Sequence, residues 1–129
     1  MINYIETPLA PKAVGTYSQG VFLNGVKGLY LFSGQIALHP ETGQMMNKGI
    51  EEEIQQILSN IDGLLKAEKL TRKNIAKTTI FLTDLTHFSK VNEAYENYFE
   101  QPYPARSCLQ VSALPKGATI EIEVIACPS

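Results

Sequence analysis

The chain has 129 residues, of which 44% are hydrophobic and 19% charged, an ordinary globular mix far from that of a disordered chain. Eleven basic against thirteen acidic residues leave a net charge of −2. That balance argues against a dedicated nucleic-acid binder, which carries a strongly basic face, and leaves a small-molecule site open. The length predicts one domain, residues 1–129, with a core that needs no staples. Two cysteines, Cys108 and Cys127, make no disulfide framework. The longest strongly apolar run, Leu29–Phe32, falls far short of the ~20 residues that span a bilayer. The first residues show neither a basic nor an apolar leader pattern, so the expected compartment is cytoplasmic.

In chain order, Thr7–Gly15, with Pro8 and Pro11, reads as an extended lead-in. Val21–Leu23 and Leu29–Phe32 read as strands, and Asn24-Gly25 between them predicts a hairpin because both residues tolerate positive φ. A short strand around Gln35–Leu38 ends at the turn His39–Gly43. From Gly49 the period changes: Ile50, Ile54, Ile57, Leu58, Ile61, Leu64 and Leu65 recur at steps of three and four. This predicts an amphipathic helix packed on the core, with Glu51, Glu52 and Glu53 at the positive end of its dipole. Ala76–Thr83, rich in threonine and β-branched residues, reads as a strand. A second helix begins near Asp84 or Thr86, carries the stripe Phe88, Val91, Asn92, Tyr95, Tyr98 and Phe99, and stops before Pro102 and Pro104. Strands at about Ser107–Val111 and Ala118–Cys127 follow, joined by a turn at Pro115 and Gly117. The predicted fold class is α+β, one mixed sheet with two helices packed on one face.

Two helices cover one face only, yet Leu29 and Leu31 alternate with Tyr30 and Phe32, so this strand is apolar on both sides. With no third helix, the second face is expected to be covered by another subunit. If the last two strands form a hairpin with Val111 opposite Ala118, then Cys108 lies opposite Glu121 and Arg106 opposite Glu123. On that register Arg106, Cys108, Glu121 and Glu123 share the face away from the helices. Arg106, after the stiff Tyr103-Pro104-Ala105, suits a bidentate grip on a carboxylate, with an interface salt bridge to either glutamate as the plainer alternative. Glu121 suits general acid–base work or, equally, an edge charge that discourages aggregation, and Glu123 shares its parity. Cys108 has no histidine nearby in sequence to activate it and reads as a small buried hydrophobe.

His39 and His87 are single and far apart, so no metal site is expected. Gly15-Thr16-Tyr17-Ser18-Gln19-Gly20 and Ser33-Gly34-Gln35 are polar islands beside hydrophobic strands, suited to lining a pocket or to shaping turns. No phosphate-binding loop pattern occurs, and no nucleotide cofactor is indicated.

Taken together, Gly15-Thr16-Tyr17-Ser18-Gln19, Ser33-Gly34-Gln35-Ile36, Lys77–Leu85, Val91-Asn92-Glu93-Ala94-Tyr95, Pro104-Ala105-Arg106-Ser107-Cys108 and Leu114–Glu123 closely resemble the Rid family (YjgF/YER057c/UK114), in particular its RidA branch, over about Pro11 to Ala126. The resemblance implies a chorismate-mutase-like fold assembled as a homotrimer with three clefts between subunits. It implies hydrolysis of reactive 2-imino acids and 2-aminoacrylate-type enamines to 2-oxo acids and ammonia, a reaction that requires no cofactor; from the charge and the short apolar runs, no nucleic-acid or membrane partner is expected. By position, Arg106 matches the arginine that grips the substrate carboxylate and Glu121 the carboxylate that activates water. Cys108 matches a position that contacts substrate through its backbone, and Tyr17, Ser33 and Gly34 match residues lining the cleft. Asn92 matches a family asparagine read as structural. The chain departs from the family pattern at Thr16 and Ala37, where proline is common, at His39, and at Glu68-Lys69, which lacks a helix-closing glycine. Alternatives from other classes are a non-catalytic 2-oxo acid sensor and an endoribonuclease or translation inhibitor.

Overall fold

The computed structural model describes residues 1–128. Six strands and two helices follow one another as β1 (Ile2–Ile5), β2 (Gly20–Leu23), β3 (Tyr30–Gln35), α1 (Ile50–Ala67), β4 (Ile75–Leu82), α2 (Phe88–Tyr98), β5 (Ala105–Gln110) and β6 (Ile120–Ala126). Helix α1 forms where the three-four period predicts it and buries Ile50, Ile54, Ile57, Leu58, Ile61 and Leu65. In α2 the buried side chains are Val91, Tyr95 and Tyr98. The Asp84 carboxylate accepts from the Thr86 N–H at 2.9 Å, which shapes the single helical turn leading into α2.

The main sheet has the order β3-β6-β4-β5, with β6 antiparallel to both neighbours and β4 parallel to β5. Along β4, Thr78, Ile80 and Leu82 point into the core, and along β6 so do Ile120, Ile122, Val124 and Ala126. Both helices pack on this one face and share one apolar cluster with it. The α+β layout with a mixed sheet and two helices on a single face is thus as the sequence predicts. Among the described residues no helix is long and apolar enough to cross a membrane.

Strand pairing differs from the sequence expectation in three places. β2 pairs with β1, which the sequence reading left in no element, and not with β3. Asn24-Gly25, with Gly25 at φ +70°, therefore turns the chain between two sheets rather than closing a hairpin. The strand expected at Gln35–Leu38 ends at Gln35, and beyond it Leu38 makes only an isolated bridge to Met45.

The third difference changes the site. β5 and β6 do not form a hairpin, because β4 lies between them. Through β4, Arg106 aligns with Thr78 and Val124, and Cys108 with Ile80 and Ile122. Glu121 instead aligns with Phe81 and Leu109, and Glu123 with Thr79 and Ser107. Directly opposed residues share a face, so Arg106 and Cys108 lie on the helix side while Glu121 and Glu123 lie on the outer side. The register expected from the sequence is off by one residue, which is enough to reverse every face assignment between the two strands.

The outer face stays open in the single chain. Leu31 is 72% exposed and Leu109 41%, beside half-buried Phe81 and Ile125. Tyr30 and Phe32 turn inward and stack with ring centroids 5.9 Å apart. β3 is therefore apolar on both faces, as its sequence implies.

Candidate active site

Arg106 enters the helix side of the sheet from the second residue of β5, behind Pro104 and Ala105. The segment before β2 folds beside it. The Ser18 N–H donates to the Pro104 carbonyl at 3.1 Å, the Ser18 hydroxyl donates to the Tyr103 carbonyl, and Ser18 bridges Ala105 in parallel. This docking carries Gly15, Thr16 and Tyr17 over the guanidinium. Nη1 of Arg106 donates to Thr16 Oγ1 at 2.8 Å and to Asn92 Oδ1 at 2.7 Å, and the Thr16 hydroxyl donates to the same Asn92 oxygen at 2.9 Å.

Three rings surround the cation, with Phe88, Tyr17 and Tyr95 centroids at 5.1, 5.2 and 5.4 Å from the guanidinium carbon, all within cation–π range. Tyr17 is itself oriented, its hydroxyl accepting from the Val14 N–H at 3.2 Å. Tyr95 is almost fully buried and hydrogen-bonds Thr78; burial pushes its hydroxyl pKa well up, so it stays neutral. Burial likewise pushes the Cys108 thiol up, the Arg106 charge only partly opposing it. Cys108 is therefore a neutral thiol at physiological pH, not a poised nucleophile.

Among the described residues Arg106 makes no ion pair; the two salt bridges are Arg72–Asp62 and Lys90–Glu51. The salt bridge to Glu121 or Glu123 entertained from the sequence does not form within the chain, since both glutamates lie across the sheet. The result is a half-buried guanidinium with a neutral hydrogen-bonded shell. Such a group is chemically suited to an incoming anion, and above all to a carboxylate matching its planar fork.

Glu121 heads a second group on the outer face. Its carboxylate lies against Gly34, so closely that a Cβ at position 34 would fall 2.1 Å from Oε2. Gly34 and the exposed Ser33 occupy a break in the β3–β6 register between Phe32 and Gln35, which opens the backbone there. The start of β6 is anchored from α1: Glu53 is buried and accepts from the Thr119 N–H at 3.0 Å and from the Thr119 hydroxyl.

The sequence candidates thus divide into two half-sites. Arg106, Tyr17 and Cys108 lie on one face, Glu121 with Gly34 on the other, and Ser33 sits in the β3 register break, where it borders a small cavity with Phe32, Ile61 and Val124. Sequence reading missed Thr16, Phe88 and Tyr95 as parts of the arginine's surroundings and took Asn92 only as structural. The available signal was a polar Asn92 inside an otherwise apolar helical stripe. His39 serves a turn, its Nδ1 accepting from the Glu41 N–H at 3.2 Å. A cavity of about 870 Å³ lies elsewhere, between the C-terminal turn of α1 and residues 98–104. It contains none of these six residues, and its Arg72 and Asp62 are already paired to each other.

An α+β chain of this topology, with an arginine held free of carboxylates, falls into a known class. Residues 7–127 match the family model described as endoribonuclease L-PSP. Curated relatives include the 2-iminobutanoate/2-iminopropanoate deaminases of Homo sapiens, 45% identical over 95% of this chain and 87% of that protein, and of Rattus norvegicus, 46% identical with the same coverage. Among solved structures, the Rid-family protein YyfA of Yersinia pestis is 46% identical, with TM-score 0.75 over 99% of this chain and 100% of that one. TdcF of E. coli, solved with bound serine, is 40% identical, with TM-score 0.74 over 98% and 99%. The chain belongs to the Rid family.

Proposed function

We propose that the protein hydrolyses 2-imino acids, and their 2-aminoacrylate-type enamine tautomers, to 2-oxo acids and ammonia, and that it does so in clefts between the subunits of a homotrimer. The observation that carries this reading is Arg106, a half-buried cation with a neutral shell and no carboxylate partner among the described residues. Two kinds of relative support it. The curated deaminases share nearly half of this sequence, and the E. coli relative was solved with serine, which carries the same α-carboxylate.

In this mechanism Arg106 grips the substrate carboxylate, with Tyr17 and the backbone at Cys108 lining the cleft. The imine carbon then faces a water held by Glu121, beside Ser33 and Gly34. With the imine protonated as the iminium, Glu121 takes a proton as the water oxygen bonds to carbon, giving a neutral carbinolamine. Returning that proton to nitrogen lets the C–N bond break and release ammonia, while the hydroxyl proton passes to Glu121 as the carbonyl of the 2-oxo acid forms. Holding water and imine in register supplies several kcal/mol of the barrier. The reaction asks for neither a metal nor an organic cofactor.

Within one chain the sheet separates Arg106 from Glu121. A second copy that covers the open outer face with its own Arg106 side brings the two halves into one cleft, which is why the catalytic and oligomeric proposals stand together. The test is 2-oxo acid release from an imine generated in situ by a dehydratase, with and without the protein. Acceleration is expected, and Arg106→Ala is expected to lower it by at least about a hundredfold while the protein still sediments as a trimer. No acceleration overturns the enzyme reading and leaves a 2-oxo acid binder, for which the same arginine would serve. An RNA-cleaving reading rests on the family model's description; the net charge of −2 counts against it.

A further inference from the structure

Thr16 is a buried polar residue, only 5% exposed. Its hydroxyl stands between the two groups that hold Arg106, donating to Asn92 Oδ1 at 2.9 Å and accepting from Arg106 Nη1 at 2.8 Å. Asn92 Oδ1 in turn accepts from Nη1 at 2.7 Å, so the three side chains close a triangle. A hydroxyl has one hydrogen to give and lone pairs to receive with, and here both capacities are used. With its oxygen receiving two donors, the Asn92 amide is fixed with that oxygen toward the guanidinium.

We propose that Thr16 is a positioning residue for Arg106: its hydroxyl, with Asn92, pins the Nη1 corner of the guanidinium and turns the Nε–Nη2 edge toward the substrate carboxylate. Among the described residues nothing accepts a hydrogen bond from Nε or Nη2. Nη2 faces Gly15, where an added Cβ would only just touch it at 3.5 Å. The free edge therefore lies beside the side-chain-free Gly15 and the Tyr17 ring. Its two N–H groups, parallel and in one plane, match the two oxygens of a carboxylate. A guanidinium held only by the surrounding rings would keep its charge and lose this aim, because cation–π attraction does not select one edge over another.

The proposal rests on the carboxylate-gripping role given to Arg106, so its test has an arm that needs no turnover. Thr16→Val removes the hydroxyl, and Thr16→Ser keeps it. In Thr16→Val, KM for the imino acid is expected to rise about tenfold while kcat changes less than about threefold, and Thr16→Ser is expected to hold KM within about twofold. In parallel, NMR of the Arg106 side chain reads the triangle directly. Resolved Nη1 protons in slow rotation are expected in the parent and in Thr16→Ser, and their collapse in Thr16→Val. Unchanged KM and unchanged Nη1 signals in Thr16→Val overturn the proposal, as does a Thr16→Ser variant that behaves like the valine. Should Thr16→Val fold poorly, Thr16→Ala makes the same deletion without the second methyl group. Should the parent neither hydrolyse imines nor bind a 2-oxo acid, the catalytic reading fails, and the Nη1 signals alone decide whether Thr16 orients the guanidinium.

Discussion

Position 34 holds the Glu121 carboxylate by what it lacks. An ideal Cβ there lies 2.1 Å from Oε2 and 2.8 Å from Cδ, both in the mobile end of a side chain and not in backbone. Gly34→Ala is therefore expected to leave the fold intact and push the carboxylate aside. Displacing a reacting group by an ångström costs on the order of a hundredfold in rate. Steady-state kinetics should show a kcat loss of that order at an unchanged melting temperature; full activity would mean that Glu121 does not act from this place. The chemistry of such residues is legible in a sequence, their surroundings less so. Arg106 and Glu121 stand out by residue type, and the family resemblance separates Glu121 from Glu123, but the parity that put them on one face fails because β4 lies between their strands. Thr16 meets Arg106 only through a contact across ninety positions of chain, which no local pattern encodes.

Among the elements, α1, α2 and the α1–β4 connection meet at one polar clamp outside the proposed site. Asp62 on α1 accepts from Arg72 Nε at 3.0 Å, from Arg72 Nη2 at 2.7 Å and from the Tyr98 hydroxyl at 2.6 Å, while Arg72 Nη1 donates to the Tyr98 carbonyl at 2.9 Å. The Arg72 guanidinium also lies 3.8 Å over the Tyr98 ring. Partial burial works to raise the Asp62 pKa, but the bonds from Arg72 and Tyr98, with the Arg72 charge, outweigh it and hold the carboxyl below its ordinary value. A depressed acid stabilises the fold above the unfolded-chain value near 4 and loses that contribution as pH falls through the lower folded value. Thermal melts of Asp62→Asn should therefore lie below those of the parent at neutral pH and converge with them under acid. A constant gap at all pH values would show that the clamp acts through packing alone. Both helices were readable from the three-four spacing of Ile50 to Leu65 and of Phe88 to Tyr98. Strand order was not: a strand's alternation fixes its two faces but not its neighbour. β5 and β6, adjacent in sequence, gave no sign that β4 would separate them.

At the scale of the whole molecule, Arg106 and Glu121 on opposite faces make a statement about assembly that can be checked by complementation. In the proposed trimer each cleft draws its arginine from one copy and its glutamate from the next. Arg106→Ala and Glu121→Gln are each expected to be inactive alone. Co-expressed in equal amounts, they should assort at random and rebuild about a quarter of the clefts, since a working one needs an intact arginine in the first copy and an intact glutamate in the second. Recovery near that fraction in 2-oxo acid release supports shared clefts. No recovery would place both residues of a working site in a single chain.

β3 has only one neighbour in the main sheet, β6, which follows every other element. While the chain emerges from the ribosome, β3 therefore waits for its partner until Ile120–Ala126 has been made. Through that interval its backbone edges and both apolar faces stay open, and pairing at such sequence distance is intrinsically slow. The hazard of self-association is concentrated in the nascent chain, before β6 has closed the sheet.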